Sequence, residues 1–179
     1  MRQRPPARYW VRGDLHFIAK LEWELNRSNS DAMTDQYNLE RFVTAQSSSY
    51  ETAMAELRKG RKTTHWIWFI FPQMKGLGIS STSEFFGISS LEEAKAYLAH
   101  PILGPRLEEA TKLMLANEGP TLQEIFGAPD DMKFRSSMTL FEMACPERPN
   151  VFEAALAQLC DGQRDERTLA LIGSPRQGF

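Results

Sequence analysis

The sequence predicts an all-α fold, a compact single-domain bundle of several helices without internal repeats, on three observations. Apolar residues recur at three- and four-residue spacing through most of the chain after Asn38. Three cap signatures, Ser90 with Glu93, Thr121 with Glu124 and Asn150 with Glu153, each stand ahead of an apolar run. Few windows show the strict alternation and turn signals of strands. With 179 residues, 42% of them hydrophobic and 25% charged, the chain is long enough to bury a core of its own.

Residues 1–36 differ from the rest in composition, with a Pro/Arg start, a short amphipathic "FIAKLEWEL" and the polar "NRSNSDAM". They are read as an N-terminal extension. Either Met33 is the natural start and the upstream piece a mis-called leader, or the piece is an extra helix docked on the domain. The helical domain runs over 37–173. Leu39, Phe42, Val43, Tyr50, Ala53, Met54 and Leu57 share one helical face that Gly60 ends. Thr64–Ile70 is predicted as a buried short helix, because proline at 72 disfavours helical geometry just before it and an isolated strand would leave its backbone unpaired. "LEEAKAYLAH" follows the Ser90 cap, and Pro101, with Pro105 close behind, opens "ILGPRLEEATKLMLA". Asp130 and Asp131 occupy a first turn, where carboxylates suit the helix dipole, and Phe134, Met138, Phe141 and Cys145 line one core face of that helix. A last helix, "DERTLALIG", ends at Gly173 and leaves the tail 174–179.

Charge and cysteine usage narrow the function. A net charge of -2 with a pI near 6.0 gives no basic field for nucleic acid or an anionic membrane surface. Cys145 and Cys160 fall in no CxxC or Cys/His spacing, so neither a disulfide framework nor a metal site is predicted, and a reducing cytoplasm is the expected location. The aromatic run Trp66–Phe71 is far shorter than the roughly 20 apolar residues of a membrane-spanning helix. No Ser/His/Asp, Cys/His or ligand pattern assembles at a recognised spacing, and no cofactor is predicted.

The candidate site residues cluster around "THWIWFIFPQMKGLG". On a helix, His65 would lie near Trp68 and Phe69, and with Trp66 and Trp68 would make a histidine set in an aromatic wall able to stack a flat ring; the alternative is a core histidine satisfied by backbone. Gln73 and Lys75 supply donors, and Gly76 and Gly78 let backbone approach a ligand or turn amides toward an anion; the alternative is a plain tight turn. Arg106 suits a two-pronged clamp on carboxylate or phosphate and His100 suits acid–base work, or else both serve the helix ends beside them. Lys133, Ser136 and Ser137 at helical spacing would complete a polar wall or face water. Glu84 in "STSEFFGISS" is the carboxylate whose burial would raise its pKa for general acid or base work, or it simply opens a helix.

The blocks "FVTAQSSSYETAMAELRKGRKTTHWIWFIFPQMKGLG", "SSLEEAKAYLAHPILGPRLEE", "KFRSSMTLFEMA" and "DERTLALIG" together resemble a small bacterial family of unknown function, some of whose members carry the label calpastatin-like. The resemblance spans about Tyr37 to Gly173 and implies a mainly helical, compact, cytoplasmic protein without an assigned activity. The order "SEFF" then "LEEAKAYL" also resembles helical N-glycosidases of the ADP-ribose class, in which a glutamate would stabilise an oxocarbenium-like centre. Three functions follow as expectations. The first is binding of a small molecule, nucleotide-like or a phosphorylated metabolite; the second is N-glycosidase-like chemistry on an ADP-ribose-type group with His65 and Glu84 as catalytic candidates; the third is a protein-interaction module.

Overall fold

The computed structural model describes residues 36–173. The extension up to residue 35, with both readings of it, and the tail 174–179 lie outside the described residues. Ten helices make up the described chain: α1 (Glu40–Ser47), α2 (Tyr50–Arg58), α3 (Ile67–Ile70), α4 (Ser81–Phe85), α5 (Leu91–Ala99), α6 (Leu103–Ala116), α7 (Leu122–Phe126), α8 (Asp130–Ala144), α9 (Val151–Leu159) and α10 (Glu166–Gly173). The fold is an all-α bundle, as predicted.

The caps act as the sequence indicated, with one division of labour. Thr121 and Glu124 close both halves of a capping box, at 3.2 Å from the Glu124 N–H to Thr121 Oγ1 and 2.7 Å from the Thr121 N–H to Glu124 Oε2. Asn150 Oδ1 accepts the N–H groups of Phe152 and Glu153. Ser90 accepts the Glu93 N–H at 3.1 Å, but the Glu93 carboxylate turns instead to the Ser89 N–H and to Arg41.

Two boundaries differ from expectation for local reasons. The single helical face from Leu39 to Leu57 is broken between α1 and α2, where Ser47 Oγ donates to the Thr44 carbonyl and Ser49 Oγ to the Ala45 carbonyl, side-chain bonds that compete with the helix. The predicted helix Thr64–Ile70 shrinks to Ile67–Ile70, because Thr63, Thr64 and Trp66 are drawn onto one carboxylate. Glu56 accepts from the Thr63 N–H (2.8 Å) and hydroxyl (2.6 Å), the Thr64 N–H (3.2 Å) and hydroxyl (2.9 Å), and the Trp66 indole N–H (2.8 Å).

Helix α8 is the centre of the bundle, packed by α3, α5, α7, α9 and α10, while α6 packs on α2, α3, α5 and α9. The core is aromatic along its length. Phe126 stacks on Phe134 at 5.4 Å, Phe134 meets Phe71 edge-on at 5.0 Å, and Tyr97 bridges Phe42 and Phe141 at 5.1 and 5.2 Å. At the α5–α6 corner a Cβ on Gly104 would lie 2.0 Å from the Leu98 carbonyl oxygen, so only glycine permits that approach. No described helix is long and apolar enough to cross a membrane.

What positions the candidate site is the loop after α3. An isolated parallel bridge joins Met74 to Ile88, with Lys75 N–H donating to the Ile88 carbonyl at 2.8 Å and Ile88 N–H to the Gln73 carbonyl at 2.9 Å. The loop is thereby tied to the segment ahead of α5 and has a cleft on either side.

Candidate functional site

The first cleft, of about 340 Å³, has the loop as one wall and α8 with the start of α10 as the other. Gln73, Leu77 and Gly78 come from the loop; Met132, Lys133, Arg135 and Ser136 come from α8; Asp165 and Arg167 come from the entry to α10. A Cβ on Gly78 would lie 2.7 Å from the Ser83 side chain, so the glycine there serves the close approach of the loop to α4.

The cations of this cleft differ in how they are held. Lys133 Nζ is 2.7 Å from Asp130 Oδ1 and 4.4 Å above the Trp68 ring, and the other Asp130 oxygen meets Lys62 at 2.7 Å. Burial works to raise the Asp130 carboxyl, but the hydrogen bonds from Lys133 and Lys62 outweigh it and hold the carboxyl below its usual range. Arg135 is different: its Nε is buried without a hydrogen-bond partner, and no ion pair to it occurs among the described residues. Arg167 is exposed and likewise has no ion pair among the described residues. The one carboxylate on the wall, Asp165, is engaged in capping α10, where Oδ2 accepts the Thr168 N–H at 2.9 Å and its hydroxyl. Positive charge is therefore in excess in the cleft.

The second cleft, of about 390 Å³, lies on the other side of the loop and is lined by Arg41, Lys75, Glu84, Gly87 and Glu93 among others. Its charges close on one another. Arg41 donates to the carbonyls of Tyr37, Asn38, Phe85 and Gly87 and to Glu93 at 2.6 Å; Lys75 pairs with Glu84 at 3.4 Å.

The structure thus brings together four residues singled out by the sequence, Gln73, Gly78, Lys133 and Ser136, with Trp68 behind Lys133. It separates the others. His65 precedes α3 rather than lying on it, is exposed, and lines neither cleft; it is neither a core histidine nor a residue in an aromatic wall. Trp66 is core, packed on Phe71 and Phe126 with its indole N–H on Glu56. Glu84 sits in the first turn of α4 with its side chain 46% exposed and paired to Lys75, so it is not the buried carboxylate that its neighbours in the sequence suggest. Gly76 has φ +90° and serves as a turn residue. His100 caps α6, its Nδ1 accepting from the Ile102 and Leu103 N–H groups at 3.2 and 3.3 Å. Arg106 stacks on Tyr50 at 4.5 Å and donates to Gln46 at 3.2 Å, inside the fold. Ser137 faces the core, where its hydroxyl has no partner.

Sequence reasoning missed Arg135 and Arg167. Arg135 carried a signal, a charge inside "KFRSSMTLF", a stretch otherwise destined for burial, whereas Arg167 in "DERT" looks like any exposed residue of a first turn. Neither thiol is activated: burial and then the Glu147 carboxylate push Cys145 up, and burial pushes Cys160 up to about 11. Among the described residues no group of side chains could hold a metal ion.

The chain is similar to a conserved hypothetical protein, Rv1873 from Mycobacterium tuberculosis, whose crystal structure is known at 1.38 Å; the two are 50% identical, with 78% of this chain and 99% of that chain covered and a TM-score of 0.76. No curated protein matches. Residues 36–172 match a family described as protein of unknown function, DUF1810, and neither description carries the calpastatin-like label. That match takes in the glycine loop, α8 and the start of α10, and the chain belongs to the DUF1810 family.

Proposed function

We propose that the protein binds a small phosphorylated metabolite in the cleft between the glycine loop and α8. The observation that carries this reading is the state of Arg135, whose Nε is buried and unpartnered beside a cleft that also holds Arg167 and Lys133. Arg135 is part-buried, with Nε enclosed and the side chain lining the cleft, so an anion seated in the cleft would partner a guanidinium that has no ion pair among the described residues. The guanidinium fork matches phosphate or carboxylate in two-pronged fashion, and Lys133 adds a point charge held in place by Asp130. The Gly78 amide adds a neutral donor, while Leu77 and Met132 offer apolar surface to the rest of the ligand; the Ser136 hydroxyl already donates to the Met132 carbonyl at 3.0 Å.

Binding without turnover is the simplest form of this reading. Of the two catalytic candidates, His65 lies outside the cleft and Glu84 belongs to the other one. The N-glycosidase reading therefore lacks a glutamate in the cationic cleft. The test is a thermal-shift series with inorganic phosphate, ribose 5-phosphate and nucleoside monophosphates, run on the natural protein and on Arg135→Ala. A ligand at about a hundred times its Kd adds roughly 2.7 kcal/mol to the folded state. A shift present in the natural protein and lost in Arg135→Ala supports the reading. A shift retained in the variant moves the site elsewhere, and no shift with any of these anions leaves the interaction module as the better account.

A further inference from the structure

We infer that the ligand of this cleft carries, besides its anion, a flat group with an adjacent hydrogen-bond donor and acceptor, and that Gln73 is the residue that reads it. This rests on the anion-binding reading above. Gln73 is 7% exposed and lines the cleft, yet its side-chain amide has no hydrogen-bond partner among the described residues. A primary amide has two N–H donors and a carbonyl with two lone pairs, and one that lines a cleft without bonds to the fold is available to a ligand seated there.

The backbone that carries the amide is held in place. The Gln73 carbonyl accepts the Ile88 N–H at 2.9 Å, Lys75 N–H donates to the Ile88 carbonyl at 2.8 Å, and Pro72 fixes the backbone just before it. Gln73 Nε2 lies 3.6 Å from where a Cβ on Gly78 would be, which places the amide beside the loop glycine. The cations stand on the facing wall, on α8 and at the entry to α10, so a ligand seated between the walls meets Gln73 on one side and the guanidinium groups on the other. Met132, 54% exposed, and Leu77 flank that span with apolar surface suited to a ring. A nucleoside monophosphate has this combination of a phosphate and a base edge with adjacent donor and acceptor; a sugar phosphate has only the first.

Sites built to hydrogen-bond a substrate group discriminate strongly against analogues lacking it. Titration calorimetry with adenosine 5′-monophosphate, uridine 5′-monophosphate and ribose 5-phosphate is the experiment. At least one nucleotide is expected to bind about tenfold or more tightly than ribose 5-phosphate. Gln73→Leu is expected to remove that preference and leave ribose 5-phosphate affinity within about twofold. Should Gln73→Leu melt well below the natural protein, Gln73→Met, which keeps the unbranched stem, takes its place. Equal binding of all three compounds, or a preference that survives the substitution, overturns the role of Gln73 while leaving the anion site standing. Failure of all three to bind overturns both readings together.

Discussion

The two clefts flank one loop and are of similar size, about 340 and 390 Å³, yet they differ in how many of their polar groups are paired within the fold. On the Arg41 side every charge named above closes on another group of the fold: Arg41 on four carbonyls and Glu93, Ser89 on Glu93, Lys75 on Glu84. On the Gln73 side Arg135, Arg167 and the Gln73 amide have no partner among the described residues. Volume therefore says little about which cleft binds; the pairing state of the polar atoms separates groups that hold the loop from groups that face a ligand.

The comparison breaks most visibly at Arg41. Its side chain is 8% exposed and that of Glu93 3%, so Arg41→Ala leaves a buried carboxylate without its cation. The expected cost is about 3–5 kcal/mol, read as a large fall in the thermal midpoint. A loss below about 1 kcal/mol would mean that the Arg41 cleft is not held by its ion pair.

Glu56 gives the next effect and adds a pH signature. Burial raises its carboxyl, but the donors from Thr63, Trp66 and Thr64 outweigh burial and bring it from 4.5 to about 2. The folded value lies below the unfolded one, so the stabilisation is complete above pH 4.5 and is lost as the pH falls toward about 2. Glu56→Gln is expected to cost about 1.5–3 kcal/mol at pH 7, and the gap to the natural protein should narrow as the solution is acidified. Asp130 and Glu142 are also lowered, Asp130 against its burial and Glu142 first by the Arg164 hydrogen bonds, and both act in each protein, so the difference between the two curves belongs to Glu56. A gap independent of pH would remove the carboxylate from this account.

Glu56 also marks how far the sequence could be read. The caps at Ser90, Thr121 and Asn150 were legible because they are local patterns, three residues long, and the core face of α8 was legible because periodicity is local too. The extent of α3 was not, since it depends on a carboxylate in α2 that takes up the backbone of Thr63 and Thr64. Within the site, Gln73, Gly78 and Lys133 could be named from a glycine loop and a helical face. Lys75 looked equivalent to Gln73 in sequence, yet the bridge at Met74 leaves the two in different clefts. Whether a charge is paired is a property of the packed chain, which is why Arg135 passed unnoticed and Glu84, half-exposed and paired, was overvalued.

Lys75→Ala sharpens the comparison at its weak end. The Lys75–Glu84 pair joins two half-exposed side chains at 3.4 Å, and such pairs contribute about 0–1 kcal/mol. Stability should change by less than about 1 kcal/mol and nucleotide affinity in the other cleft should not move. A loss of affinity in this variant would show that the loop couples the two clefts.

The smallest effect on stability belongs to Arg135, and it is the most informative because the same substitution is made at Arg41. Removing Arg41 strands Glu93; removing Arg135 strands nothing, and it takes away a buried Nε that had no partner. Arg135→Ala should therefore lie within about 0.5 kcal/mol of the natural protein in unliganded melting, on the stabilising side where the loss of a buried polar atom exceeds the loss of its packed methylene stem. Residues retained for binding at a cost in stability behave in this way. A destabilisation of about 3 kcal/mol, comparable to that of Arg41→Ala, would make Arg135 a structural anchor, and the cationic cleft would then have the same character as its neighbour across the loop.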